Sequence, residues 1–134
     1  MQIERVYAVI CVRTIDDALD FYAQVFGREP DARPMESLGE WYPVQGGGIQ
    51  VFEEAARAGM SYATLNVPDI QVLVDELESR GLSVDKSGID FNPFRLASVT
   101  DPDGNRVTFA QDTRLNSAPL RLWAPKRYKI HIAL

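Results

Sequence analysis

The sequence predicts an α+β fold built from two copies of a βαβββ unit, and three observations lead to that prediction. Short segments of alternating polarity recur along the chain, two segments carry apolar residues at helical spacing, and the pattern of the first half begins again in the second. With 134 residues, of which 46% are hydrophobic and 25% charged, the chain is long enough to bury one apolar core. We therefore expect one domain at 1–111, with repeat one at 4–53 and repeat two at 60–111, followed by a basic tail at 112–134.

The first repeat opens with a strand and a helix. Residues 4–12 alternate in polarity and place Tyr7 and Cys11 on one face of the predicted strand. Thr14 is suited to cap the helix that follows, and an apolar stripe at helical spacing continues to Gly27, where the helix is expected to end. Prolines and a triple glycine then exclude a long helix. Three short strands are predicted there: 32–38, 40–43 and 48–52.

The second repeat follows the same order. A strand at 61–67 precedes Asp69, a suitable helix cap, and an apolar stripe that ends at Gly81. Tyr7 matches Tyr62 at a spacing of 55 residues, and the two helix caps match at the same spacing. Repeats of this length indicate one structural unit used twice. Three further strands are predicted: 82–84, 94–100 and 106–111.

The segment 101–105, with the sequence DPDGN, predicts a tight turn. Proline fixes φ, glycine tolerates positive φ, and Asp or Asn can bond its own backbone. The strand after it alternates, with Arg106 and Thr108 on one face and Val107 and Phe109 on the other.

The charge is unevenly distributed. The formal net charge is −5, but 1–111 holds 9 Lys and Arg against 18 Asp and Glu, whereas 112–134 holds 5 against 1. An acidic body disfavours nucleic acid as a partner. No apolar run approaches the about 18 residues that span a bilayer, and no secretory signal pattern is present, so we expect no membrane partner. The lone Cys11 excludes an internal disulfide, and a cytoplasmic location is expected.

The doubled βαβββ unit, the segment VRTIDDALDFY at 12–22, the Phe26-Gly27 helix end and the DPDGN turn together resemble the vicinal oxygen chelate superfamily. This is the glyoxalase, bleomycin-resistance and extradiol dioxygenase group, and the resemblance covers about residues 4–111. It implies that each unit curls a mixed sheet around a cup, that the helices pack outside, and that chains pair as homodimers.

The resemblance also implies where a metal would bind. Metal enzymes of the family typically place a His on the opening strand of a unit and a Glu on its last strand. The matching positions here are Tyr7 and Tyr62, and Gln50 and Thr108. Transition metals prefer carboxylate, imidazole or thiolate donors, and the only histidine, His131, lies in the tail. The sequence therefore predicts no metal and no other cofactor.

Strand parity predicts a cup face that carries no carboxylate or imidazole. General acid–base catalysis usually depends on such groups, so no catalytic residue is assigned. Aromatic side chains at the mouth of the cup are added as candidates for stacking on a ligand. The predicted ligand-binding residues are Tyr7, Cys11, Trp41, Gln50, Phe52, Tyr62, Thr64, Asn66, Phe94, Ser98, Arg106 and Thr108.

Several of these residues have a simpler structural explanation. Cys11 is more simply a small buried residue than a nucleophile, because the domain has no histidine to activate it. Trp41 and Phe94 suit the core or a dimer interface as well as a ligand site, and both interpretations stay open.

A cup of apolar and hydrogen-bonding side chains suits reversible binding of a small organic molecule. Within the family, this resembles the bleomycin-resistance branch, whose dimers sequester an antibiotic unchanged. The acidic body favours a cationic ligand, and the aromatic walls favour an aromatic one. The alternative is a metal-independent lyase or isomerase, in which Tyr7 or Tyr62 donates a proton and Glu53 or Arg106 reaches in from the rim. A weaker alternative is a partner-binding module with a collapsed cup.

The basic tail allows two interpretations. Residues 127–134 could form an extra strand that joins a sheet edge or covers the cleft. Alternatively, the tail is sequence added by an expression vector, which carries no functional meaning. We favour the second interpretation.

Overall fold

The computed structural model describes residues 1–114 of the chain. The predicted tail strand at 127–134 lies outside the described residues. A short 3-10 helix, Ala55–Arg57, joins the two repeats. The other elements, in chain order, are β1 Val6–Val12, α1 Ile15–Phe26, β2 Ala32–Met35, β3 Leu38–Val44, β4 Gly47–Glu53, β5 Tyr62–Asn66, α2 Ile70–Ser79, β6 Phe94–Thr100 and β7 Arg106–Asp112.

The strands form two sheets of the same plan. The first has the order β1-β4-β3-β2 and the second the order β5-β7-β6. In each sheet the opening strand of the repeat pairs in parallel with the last strand, and the last strand pairs in antiparallel with the strand before it. The predicted α+β fold class is confirmed. Neither helix in the described part of the chain is long and apolar enough to cross a membrane.

One apolar core holds both repeats. Alternate side chains of the strands and one face of each helix point into it, as the sequence periodicity predicted. Aromatic rings lie at its centre, where Trp41 packs against Tyr22 and Phe26 with ring centroids 6.4 and 5.3 Å away. The opposite face of each sheet is left outside the core.

Both helices begin in the same way. The backbone N–H of Ile15 donates to the side chain of Glu53 at 3.0 Å, and that of Ile70 donates to Gln111 at 2.9 Å. Each acceptor lies near the end of the last strand of its repeat. Such bonds satisfy N–H groups that a helix leaves unpaired in its first turn. The last strand therefore fixes where each helix starts.

The predicted helix boundaries are confirmed at the residues that mark them. Asp69 caps α2 through the backbone N–H groups of Gln71 and Val72. Thr14 occupies the cap position of α1, but its hydroxyl donates to Asp17 at 2.9 Å instead of accepting from the backbone. Gly27 ends α1 with φ at 71°, a value that favours glycine.

Two strand predictions are wrong. The strand predicted at 32–38 ends at Met35, and Gly39 lies inside β3 and not in a turn. A Cβ at Gly39 would lie 2.6 Å from Leu19 Cδ2, so the glycine serves close packing of α1 on the sheet. The strand predicted at 82–84 is reduced to one bridge between Asp85 and Ser98. The Asp85 carboxylate accepts a hydrogen bond from Ser87 N at 2.9 Å, and the turn that this bond stabilises leads the chain away from the sheet directly after the bridge.

The DPDGN segment forms the predicted tight turn. Asp101 Oδ1 accepts from the backbone N–H groups of Asp103 and Asn105 at 3.0 and 2.9 Å. Gly104 has φ at 101°, a conformation that a side chain would strain.

The same turn joins the two repeats. The side-chain amide of Asn105 donates to Cys11 O at 2.7 Å, and its oxygen accepts from Ser61 N at 2.8 Å. Asp101 Oδ2 accepts from the hydroxyl of Tyr22 at 2.7 Å and from Asn105 Nδ2 at 2.8 Å. Asp101 and Asn105 are both buried. The turn is therefore bonded to β1, to α1 and to the residue before β5.

Asn105→Ala is expected to lower the free energy of unfolding by about 2–4 kcal/mol, because it leaves the buried carbonyl of Cys11 and the partly buried N–H of Ser61 without partners. Asp103→Ala is the matched control in the same turn. It removes one exposed bond to Arg13 N and should cost about 1 kcal/mol or less. Urea unfolding followed by circular dichroism measures both variants, and equal losses would contradict the prediction.

Candidate functional site

Each sheet has a face that points away from the core, and burial identifies its residues. On β1, Tyr7 and Val9 are 36% and 48% exposed, whereas Ile10 and Val12 are almost completely buried. The predicted strand parity is therefore correct. We call the outer face of the first sheet the first cup face; its members include Tyr7, Val9, Glu40, Tyr42, Gln50 and Phe52. We call the outer face of the second sheet the second cup face; its members include Tyr62, Thr64, Asn66, Leu96, Ser98, Arg106 and Thr108.

The second cup face brings together four of the predicted residues. Thr108 Oγ1 donates to the hydroxyl of Tyr62 at 2.9 Å. Arg106 donates through Nε and Nη2 to Ser98 Oγ at 3.1 and 2.9 Å, and its guanidinium pairs with Asp85 at 3.2 Å. These side chains line a cleft of about 140 Å³. The cleft offers hydroxyl groups and an ion pair to a ligand.

Three other predicted residues lie at the margins. Thr64 and Asn66 are exposed along β5, beyond the cleft. Phe94 lies at the start of β6 beside a second small cleft with Asn92, and the Arg114 guanidinium is 5.0 Å from its ring centre. The structure therefore does not bring Phe94 to the side chains around Tyr62.

The first cup face contains a buried acid that the sequence analysis missed. Glu40 is 5% exposed and lies directly opposite Gln50 in the β3–β4 register. Gln50 Nε2 donates to Glu40 Oε2 at 2.6 Å, and the Tyr42 hydroxyl donates to Glu40 Oε1 at 2.5 Å. The prediction that the cup carries no carboxylate is wrong. The signal was present, because alternation from Leu38 onward places Glu40 and Tyr42 on one face.

Two tyrosines contact each other on this face, and one of them, Tyr42, is hydrogen-bonded to the acid. The rings of Tyr7 and Tyr42 meet edge to face, with centroids 6.5 Å apart. The Arg5 guanidinium lies 4.1 Å from the centre of the Tyr42 ring. The hydrogen bond to the Glu40 carboxylate is the main reason why the pKa of Tyr42 is raised to about 12. Tyr42 therefore stays protonated and acts as a donor at neutral pH.

Trp41 does not belong to the cup. It is completely buried on the core face of β3, and its indole N–H donates to Arg28 O at 3.0 Å. Neighbouring positions on a strand point to opposite faces, so Trp41 and Glu40 cannot share one. This placement corrects the prediction of Trp41 as a ligand-binding residue and supports the core interpretation.

Cys11 fits the interpretation of a small buried residue. It is 7% exposed, and its Sγ lies 3.8 Å from Glu54 Oε2. Burial, and secondarily the negative charge of Glu54, raise the pKa of the Cys11 thiol. A raised pKa leaves less thiolate, which is the nucleophilic form. Cys11 is thus poorly suited to nucleophilic catalysis.

The residues at the four metal positions do not fit a transition metal. Gln50 is bonded to Glu40, and Thr108 is bonded to Tyr62, while Tyr7 packs against Tyr42. These positions offer two phenols, an amide and a hydroxyl, whereas zinc, iron and nickel prefer carboxylate, imidazole or thiolate. Within residues 1–114, no three His, Cys, Asp or Glu side chains come close enough to hold an ion.

The structure contains two repeats of the same plan, one βαβββ and one βαββ, and each presents one sheet face away from the shared core, which defines a repeat protein of the α+β class. The family model described as the Glyoxalase/Bleomycin resistance protein/Dioxygenase superfamily matches residues 5–109, and the chain belongs to this superfamily. Comparison with curated protein sequences gives no significant match.

Solved structures share the fold. A glyoxalase/bleomycin resistance protein from Catenulispora acidiphila is 27% identical, with a TM-score of 0.76 over 81% of this chain and 97% of its own. TnmS3, an antibiotic-binding protein from a Streptomyces species, is 22% identical, with a TM-score of 0.68 over 84% and 98%. A bleomycin-binding protein in complex with bleomycin is 13% identical, with a TM-score of 0.55 over 81% and 98%.

Cys11 is expected to react slowly with a disulfide reagent such as DTNB while the protein is folded. At pH 8 its rate should be at least about tenfold below that of the exposed thiol introduced by Ser79→Cys, because burial and the raised pKa both reduce accessible thiolate. Unfolding in urea should bring the two rates together. A native Cys11 that reacts as fast as the introduced thiol would contradict this assignment.

Proposed function

We propose that this protein reversibly binds a small organic molecule, without a metal, and sequesters it in the manner of an antibiotic-resistance protein. The observation that carries the proposal is the donor set at Tyr7, Gln50, Tyr62 and Thr108. It replaces metal ligands by groups that hydrogen bond or stack. In the Tyr62–Thr108 and Gln50–Glu40 pairs, these groups already have partners within the chain.

Proteins of the same fold support this class of ligand. TnmS3 is an antibiotic-binding protein, and another neighbour is a bleomycin-binding protein. Their low identity to this chain means that they support the fold and the kind of ligand, but not its chemical identity. The proposed ligand is therefore a small organic molecule, cationic or aromatic, with no nucleic acid or membrane partner.

The size and exposure of the cup support a homodimer. The cleft beside Tyr62 has about 140 Å³, whereas sites for drug-sized ligands have roughly 300–1,000 Å³. Tyr62 and Val9 are nevertheless 65% and 48% exposed on the two cup faces. A second chain that approaches these faces would deepen the cleft and cover apolar surface. We propose that the assembled dimer binds its ligand in the cytoplasm.

Glu40 favours one alternative, a metal-independent lyase or isomerase. A buried carboxylate on the first cup face is the kind of group that abstracts a proton from a substrate. Both oxygens of Glu40 already accept short hydrogen bonds from Tyr42 and Gln50. Each carboxylate oxygen is therefore already engaged within the chain, so binding without reaction is the preferred function.

Removal of metal ions is expected to leave the protein unchanged. Treatment with EDTA followed by dialysis should shift the melting temperature by less than about 1 °C. A metal ion bound to the native state would stabilise it, so removal of such an ion would lower the melting temperature. Readdition of zinc or nickel should have equally little effect. A melting temperature that falls on chelation and returns with zinc would overturn the metal-free proposal.

Tyr62→Ala is expected to weaken ligand binding by about 10–100-fold, since it removes an exposed ring from the second cup face. Calorimetry with a panel of antibiotics that includes bleomycin would first identify a ligand. Val72→Ala, which removes an exposed apolar side chain from α2, should leave its affinity unchanged. Mass spectrometry after incubation should recover the ligand intact. A modified product would instead support the enzyme alternative.

A further inference from the structure

Glu40, Tyr42, Tyr7 and Gln50 form one continuous group on the first cup face, which we call the acid–aromatic subsite. We propose that this subsite binds a planar organic cation, such as the amidinium or guanidinium group of a ligand, with Glu40 as its counter-charge. The inference rests on the proposed function and deepens it by naming the chemical class that the site selects.

The Glu40 carboxylate lacks a positive partner. It is 5% exposed, yet the ion pairs within residues 1–114 do not include it. The two groups that donate to it, the Tyr42 hydroxyl and the Gln50 amide, are neutral. A buried carboxylate is costly unless a charge compensates it. A cationic ligand would supply the missing charge.

The carboxylate also keeps acceptor capacity. Each of its oxygens accepts one hydrogen bond, one from Tyr42 and one from Gln50. A carboxylate has about four lone-pair positions, so each oxygen keeps one acceptor position beyond the bond it already accepts. Amidinium and guanidinium groups present two parallel N–H donors and match that geometry.

The tyrosines provide a surface on which a planar cation stacks. The Arg5 guanidinium of this chain already lies over the Tyr42 ring, 4.1 Å from its centre, and is 6.0 Å from that of Tyr7. Arg5 Nη1 donates to Gly47 O at 3.2 Å, so this guanidinium is held by the strand end and not by Glu40. Tyrosine faces attract such cations through the ring quadrupole. The ring pair therefore attracts the same kind of planar cation that would balance the charge of Glu40.

The second cup face lacks this combination. Its charged side chain, Arg106, is paired with Asp85 and bonded to Ser98. The excess of acidic residues in 1–111 also draws cations toward the domain. A ligand with one cationic end is therefore oriented with that end on the first cup face.

Benzamidine and benzamide form a matched pair of probes, since they share shape and ring but only the first carries a charge. Titration of the full chain, followed by amide chemical shifts in NMR, should show benzamidine binding at least about tenfold tighter than benzamide, because charge-assisted bonds are the stronger ones. The shifts should centre on residues 39–42 and on Gln50. This measurement uses the wild-type protein and does not depend on the folding of a variant.

Glu40→Gln removes the charge and keeps the side-chain volume. It should reduce the affinity for benzamidine at least about tenfold and change that for benzamide little. Glu36→Gln is the matched control, because it removes the same charge from an exposed position next to β3. It should leave both affinities unchanged.

Three results would overturn the proposal: benzamide binding as tightly as benzamidine, shifts that centre elsewhere, or no binding of either probe at millimolar concentration. The proposed function is tested separately by the antibiotic panel. A panel ligand that carries an amidinium or guanidinium group and is bound equally by the wild type and by Glu40→Gln would leave that function standing and refute the cation subsite. If the protein binds benzamidine selectively but binds no panel ligand, the cation subsite stands and the proposed function is refuted.

Discussion

The hydrogen bonds between Asp101 and Asn105 are the constraint on which the rest of the structure depends. These two buried side chains bond the backbone of their own turn and, through Asn105, the backbone of Cys11 and Ser61. The Tyr22 hydroxyl completes the group from α1, and its pKa is raised by burial and by the Asp101 carboxylate. A turn in repeat two thus sets where the opening strand of each repeat lies. This turn therefore helps to fix the position of the two cup faces relative to each other.

A second constraint links each cup face to its helix. Glu53 and Gln111 hold the first turns of α1 and α2, and they lie three residues after Gln50 and Thr108, respectively. Odd spacing along a strand places the two members of each pair on opposite faces. Each last strand therefore fixes a helix on one side and presents a polar ligand-binding candidate on the other. Both repeats show this arrangement, although Glu53 and Gln111 differ in charge.

The sequence predicted the elements that depend on local periodicity and failed where packing decides. Alternation and helical spacing located both helices, and parity assigned the cup and core faces of β1, β4, β5 and β7. Gly39 resembles a turn residue in sequence, but its role is to admit Leu19. The break predicted at Gly39 left only 40–43 as a strand, and Glu40 was not assigned to the cup face although the alternation of that strand indicates it.

The buried acid changes what the absence of metal donors means for this cup. Without Glu40, the cup would carry only phenols, an amide and a hydroxyl at the metal positions, and it would be a weakly polar site. Glu40 adds a carboxylate that accepts from Tyr42 and Gln50 and meets no cation in residues 1–114. In a metal enzyme, the ion provides the positive charge and the protein provides the acids. Here a carboxylate lies on β3, directly opposite the last-strand position that Gln50 occupies, and the positive charge that balances it arrives with the proposed ligand.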